Sequence, residues 1–134
     1  MIYFDSDVLV HYFFPQDLAK QAIAIQCIRN AAALNEVTIS VISLQETSFV
    51  LSKLGVPLPD INQALALLRA FNPLPVSVAD FQRAEVFAQA ISFQNINDCI
   101  HMAIAEVNCT ELVTFNHSDF KRIQLLTTLK ITLL

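Results

Sequence analysis

Short apolar runs alternate along the chain with longer stretches whose apolar residues recur every three or four positions. Residues 2–4 read as a buried strand, and Asp5 ends it. Residues 8–14 follow as a short helix stopped by Pro15. Residues 17–33 carry Leu18, Ala22, Ile25, Ile28 and Ala32 at the spacing of one helix face. Residues 37–40, with β-branched Val37, Thr38 and Ile39, predict a second strand. The next helix starts at Ser43, with Glu46 at capping-box spacing, and stops at Gly55, the only glycine.

A helix starting at Pro59 or Asp60 carries Ile61, Leu65, Leu68 and Phe71, and a short strand is expected over 74–76. Residues 78–90 are helical in pattern, and Asn95 or Asn97 caps a very apolar helix reaching about Val107. Residues 111–114 predict a strand, 116–120 a loop with one helical turn, and 130–133 a last strand. Short apolar strands alternating with helices predict an α/β fold of three layers, α/β/α, around a parallel sheet of four to five strands. The 134 residues suit one domain spanning 1–134. In such sheets ligands bind beyond the carboxyl ends of the strands. Asp5 and the 116–119 loop follow strands directly, and Glu46 and Asp98 lie near helix starts on the same rim.

Composition refines this picture. Apolar residues make up 54% and charged residues 15%, which points to apolar surface covered by a partner, such as a second copy. No stretch is long enough to span a membrane, and the N-terminus lacks the basic region of a signal peptide, so a cytoplasmic location is expected. Cys27, Cys99 and Cys109 show no CxxC spacing and read as reduced core thiols. The net charge of −4 does not advertise nucleic-acid binding. Setting aside four carboxylates as one metal site leaves eight acids against eight basic residues.

The placing of the acids carries the chemistry. Asp5 interrupts a strand end, Glu46 sits in ISVISLQETSFVL, and Asp98 opens NDCIHMAIA. A carboxylate buried alone is costly and tends to be neutral. No Lys or Arg occurs in residues 2–15, 37–51 or 91–106 to pair with them. A shared cation is the other solution, and oxygen ligands favour Mg²⁺ or Mn²⁺. Each acid also has a structural reading: a strand end for Asp5, a capping box for Glu46, a first helical turn for Asp98 and a loop for Asp119.

In order and spacing the segments DSDVLV, SVISLQET, NDCIHMAIA and TFNHSDF resemble those of the PIN-domain ribonucleases, especially the VapC-type toxins of bacterial toxin–antitoxin pairs. The resemblance implies a catalytic, metal-binding set of Asp5, Glu46, Asp98 and Asp119, with Ser6 and Thr114 at supporting hydroxyl positions. It implies Mg²⁺- or Mn²⁺-assisted hydrolysis of RNA, a homodimer, and an antitoxin protein as partner. Two positions depart from the family pattern. Asp7 stands where Asn is usual, and Asn116 stands where many members carry an acid. Asp119 is favoured as the fourth acid, with Asn116 as a neutral helper.

Two rival readings stay open. Asp5-Ser6-Asp7 after a strand also fits a haloacid-dehalogenase-like phosphatase, with Asp5 as nucleophile and Asp7 as acid, although the late Gly-containing acidic pair is missing. The other rival is a non-catalytic PIN-like binding module. His101 lies one helical turn after Asp98 but reads first as a helix histidine, while His117 stands in the active loop and His11 reads as structural. Lys53, Arg83, Lys121 and Arg122 are the candidate phosphate contacts, and each also reads as an ordinary surface cation.

Overall fold

The computed structural model describes residues 1–134 and has four parallel strands with helices on both faces, the expected three-layer α/β/α arrangement. The strands are β1 (Ile2–Phe4), β2 (Val37–Thr38), β3 (Glu111–Thr114) and β4 (Lys130–Leu133), in the order β2-β1-β3-β4. Tyr3 pairs with Thr38 on one side and Leu112 on the other. From β1 the chain builds outward to β2, then returns to place β3 on the opposite side of β1. The carboxyl ends of β1 and β3 therefore flank a reversal of strand order, where connections leave the sheet in opposite directions and open a crevice.

Seven α-helices fill the layers: α1 (Ser6–Phe13), α2 (Leu18–Ala33), α3 (Val41–Lys53), α4 (Leu58–Arg69), α5 (Val78–Ile91), α6 (Ile96–Asn108) and α7 (His117–Ile123). Successive strand residues point to opposite faces. Tyr3 and Leu112 join a core with α5, α6 and α7, whereas Phe4 and Val113 join one with α1, α2 and Leu68 of α4. A smaller cluster of Val10, Leu51, Ile61 and Ala64 ties α1, α3 and α4 together beside the cleft.

Three expectations shift. The strand expected at 74–76 reduces to one bridge between Ser40 and Leu74, because Pro73 and Pro75 flank Leu74 and carry no N–H to extend a ladder. The buried face of α2 is Ala24, Ile28 and Ala31, while Leu18 is exposed; small side chains let the helix lie close to the sheet. The helix expected to start at Ser43 begins earlier. Ser40 is its N-cap, and Ser43 Oγ accepts the Ser40 N–H at 3.1 Å. Glu46 thus lies beyond the capping box and is free for the site. Gly55 ends the helix as expected, at φ +77°, with the Val56 N–H closing on the Leu51 carbonyl at 3.0 Å. Cys27, Cys99 and Cys109 are free thiols.

Candidate metal centre

The crevice at the strand reversal holds a cleft of about 580 Å³. Its lining includes Asp5, Asp7, Glu46, Asp98 and Asp119, five carboxylates with no Lys or Arg among them. All four acids expected from sequence, and the extra Asp7, thus meet at one place. They are not equivalent.

Asp5 is the N-cap of α1 and is 3% exposed. Its Oδ1 accepts the Ser6 N–H at 2.7 Å, and its Oδ2 lies 2.8 Å from Thr114 Oγ1. The β1 end thereby aims one carboxylate into the cleft and braces it on the β3 end. Ser6 Oγ reaches across to donate to Glu46 Oε2 at 2.5 Å. Ser6 and Thr114 thus place their hydroxyls against Glu46 and Asp5.

His101 is the residue the sequence reading undervalued. It is 1% exposed, and its Nε2 stands 2.7 Å from Glu46 Oε2 and 3.8 Å from Asp5 Oδ1. Its Nδ1 lies 2.8 Å from the Tyr3 hydroxyl, which is 2.6 Å from Ser40 Oγ. Burial alone would drive the imidazole proton off. Tyr3, Glu46 and Asp5 outweigh it and raise the pKa of His101 well above 6.5. Burial likewise pushes Glu46 up, but hydrogen bonds from His101, Ser6 and Asn97 leave it below its ordinary value. Asp5, Glu46 and His101 bring one ligand atom each to within 4.8 Å of one another. The helical spacing from Asp98 was the signal for His101. Its i+3 position turns it toward the same cleft, and only the depth of burial makes it a partner.

Asp98 and Asp119 line the cleft outside this close group. Burial, then the charges of Asp5 and Asp119, push the Asp98 carboxyl up to about 7. Asp119 is held by two side chains. Asn116 Nδ2 donates to its Oδ2 and Arg122 Nη2 to its Oδ1, both at 2.9 Å, and these contacts hold it below the usual range. Asn116 Oδ1 also caps α7 by accepting the Asp119 N–H at 3.2 Å. The residue that competed with Asp119 in the sequence therefore positions it.

Asp7 does not cap α1, since Asp5 does. Its carboxylate accepts the Phe115 N–H at 3.1 Å and lies 3.2 Å from Thr114 Oγ1, pinning α1 to the end of β3. Burial and the charge of Asp5 push it to about 7, against the lowering effect of these hydrogen bonds.

The other candidates separate cleanly. Arg83 forms a two-pronged pair with Glu106 at 2.8 and 3.0 Å and lies over Phe87, away from the cleft. Arg122 is spent on Asp119 and Asn95. His117 lies in the α7 turn, but its Nε2 bonds the Leu134 carbonyl at 2.6 Å and so ties down the chain end. His11 packs on Phe115, as a structural residue would. Gln45, Gln94, Asn95 and Asn97, none of them read as site residues in the sequence, line the wall with Asn116.

This donor set suits a divalent cation. Two of its carboxyls are lifted to about 7, first by burial and then by the charge of Asp5, and no Lys or Arg lines the cleft; His101 beneath it offsets part of the charge on Asp98. A small doubly charged ion would replace mutual repulsion with attraction. Oxygen donors dominate, in keeping with Mg²⁺ or Mn²⁺; the buried imidazole beside Asp5 and Glu46 is the one nitrogen.

A parallel sheet with acids converging at its reversal point defines a class of α/β protein with an acidic, metal-suited centre, and the family follows from comparison. The sequence matches the PIN domain family over residues 2–126, and the chain belongs to that family. No curated protein matches it. PIN domains are generally nucleases that use a divalent metal. No helix is long and apolar enough to cross a membrane.

Proposed function

We propose that this protein is a Mg²⁺- or Mn²⁺-dependent endoribonuclease and the toxin of a type II toxin–antitoxin pair. The observation that carries the nuclease reading is the cleft of five carboxylates with no basic residue in its wall. Asp5, Glu46, Asp98 and Asp119 would hold the metal. When bound, the ion supplies a Lewis acid to a phosphate oxygen and lowers the pKa of water. The chain's own residues set the geometry. Thr114 and Ser6 fix Asp5, His101 and Ser6 fix Glu46, and Asn116 with Arg122 fixes Asp119.

The phosphatase alternative is disfavoured by Asp7. Its carboxylate is engaged by the Phe115 N–H and Thr114 and is not free to serve a leaving group. The test is cleavage of labelled single-stranded RNA by purified protein in Mg²⁺ or Mn²⁺, with EDTA and the Asp5→Ala and Asp98→Ala variants as controls. Cleavage that needs the ion and both acids is expected. RNA left intact under all conditions, with neither ion bound, would sink the reading and favour a non-catalytic module.

The toxin role is supported by the resemblance of the four acidic segments to VapC-type toxins. It predicts slowed growth on expression without a partner, relieved by Asp5→Ala or Asp98→Ala. Toxicity that survives both changes would refute it. A cytoplasmic homodimer that binds an antitoxin protein is part of the same proposal.

A further inference from the structure

The cleft wall contains one feature that metal binding does not use. Apart from Val50, Phe49 is the only apolar residue lining it, and Phe49 is 62% exposed. An exposed aromatic ring among carboxylates and amides gains nothing from the core. Helix α3 places Gln45, Phe49 and Lys53 at successive i+4 positions, so they form one strip beside Glu46. Lys53 Nζ lies 5.5 Å from the Phe49 ring centroid. Its ammonium enters none of the protein's salt bridges. Along this strip an amide, a flat π face and a cation follow one another outward from the metal-holding floor.

We infer that Phe49 is a base-stacking residue, which seats the nucleobase next to the cleaved phosphate of a single-stranded RNA, with Lys53 meeting the adjoining phosphate. This rests on the nuclease reading above. Stacking on an aromatic face is how proteins hold unpaired bases whatever their sequence, and a cation nearby follows the backbone. The surroundings favour RNA over a protein partner. A protein contact of this kind has an apolar centre, whereas the residues flanking Phe49 in the cleft are Gln45, Glu46 and Val50, with the amides Gln94, Asn95 and Asn97 among the remaining lining residues.

The chain contains no tryptophan, so Phe49→Trp installs a single reporter at the rim. Titration of this variant with a ten-nucleotide single-stranded RNA should quench its emission, because a stacked base quenches indole. A sugar-phosphate decamer lacking bases should leave the emission unchanged. In parallel, Phe49→Ala should raise KM for RNA about five- to hundred-fold with kcat near wild type, the range expected for one stacked base. Lys53→Gln should instead weaken the intact and abasic decamers alike. A thermal melting transition matching that of the wild type shows that Phe49→Trp folds.

Equal responses to intact and abasic decamers, or an unchanged KM in Phe49→Ala while the wild type cleaves RNA, would overturn the stacking role and leave the nuclease reading standing. A wild type that cleaves no RNA would overturn both. An altered oligomeric state in Phe49→Ala, with KM for RNA unchanged, would assign the ring to a protein contact and overturn the inference.

Discussion

His101 Nε2 lies 2.7 Å from Glu46 Oε2, beneath the cleft, and this contact joins α6 to α3. Glu46 comes from α3 and His101 from α6, and both helices also meet the Tyr3 hydroxyl, through Ser43 and His101. Tyr3 on β1 completes the chain through His101 Nδ1. The raised pKa of His101 favours positive charge on its ring, between Asp5 and Glu46.

Removing His101 should therefore expose this contact's weight. His101→Ala leaves the Glu46 carboxylate and the Tyr3 hydroxyl without their shared partner. Breaking one side of a buried pair typically costs about 3–5 kcal/mol, and partial access of water to Glu46 brings the expectation to about 2–4 kcal/mol. Urea unfolding of the two proteins measures it. A loss under about 1 kcal/mol would mean that the ion pair contributes little.

Stability should depend on pH in a direction set by three groups. His101 has a folded pKa raised above 6.5, so its contribution is full at lower pH and is lost as pH rises through the folded value. Asp7 and Asp98 are raised to about 7, so between the ordinary carboxyl range and pH 7 the folded protein binds more protons than the unfolded chain. Stability then falls as pH rises, the same direction as for His101. Metal-free protein in EDTA should lose melting temperature from about pH 5 to pH 8. Mg²⁺ or Mn²⁺ should restore it at pH 8 by taking the place of the lost protons. A flat profile, indifferent to either ion, would contradict the charge arrangement described for the cleft.

Substitutions at Asp7 should separate its charge from its hydrogen bonds. Asp7→Asn keeps an acceptor for the Phe115 N–H and removes repulsion with Asp5. It should raise the melting temperature at pH 8 and keep RNA cleavage. Asp7→Ala should cost about 1–3 kcal/mol by leaving the Phe115 N–H unpaired. Loss of all activity in Asp7→Asn would revive the phosphatase reading.

Asn116 should matter through Asp119. Asn116→Ala removes both the α7 cap and the amide that holds the Asp119 carboxylate. A lost cap costs about 0.5–2 kcal/mol, and cleavage should weaken as Asp119 loses its anchor. Asn116→Asp restores the cap but not the amide donor, so stability should recover while activity stays low. Parallel melting and cleavage assays would show whether the two effects separate.

Much of this was legible in the chain itself. The period of the apolar residues marked the six longer helices and the four strands, because burial on both faces of a parallel sheet demands such runs, whereas α7 read as a loop with one helical turn. Asp5, Glu46 and Asp98 stood out because each is an acid in an apolar segment with no basic residue nearby, a local property. Other features depend on residues far apart in sequence. Leu74 has strand-like neighbours, yet its flanking prolines and the turn into α3 leave it one bridge. His101 looked like an ordinary helix residue until β1 brought Tyr3 to one ring nitrogen and α3 brought Glu46 to the other. Asp119 and Asn116 competed as candidates until the α7 turn joined them in one hydrogen-bonded unit. The sequence by itself determined the layers and the supply of acids, since periodicity and lone charges are properties of short segments. The tertiary structure alone decided which side chains share a proton, a hydrogen bond or the cleft, because those pairings cross up to 109 positions of chain, as between Asp5 and Thr114.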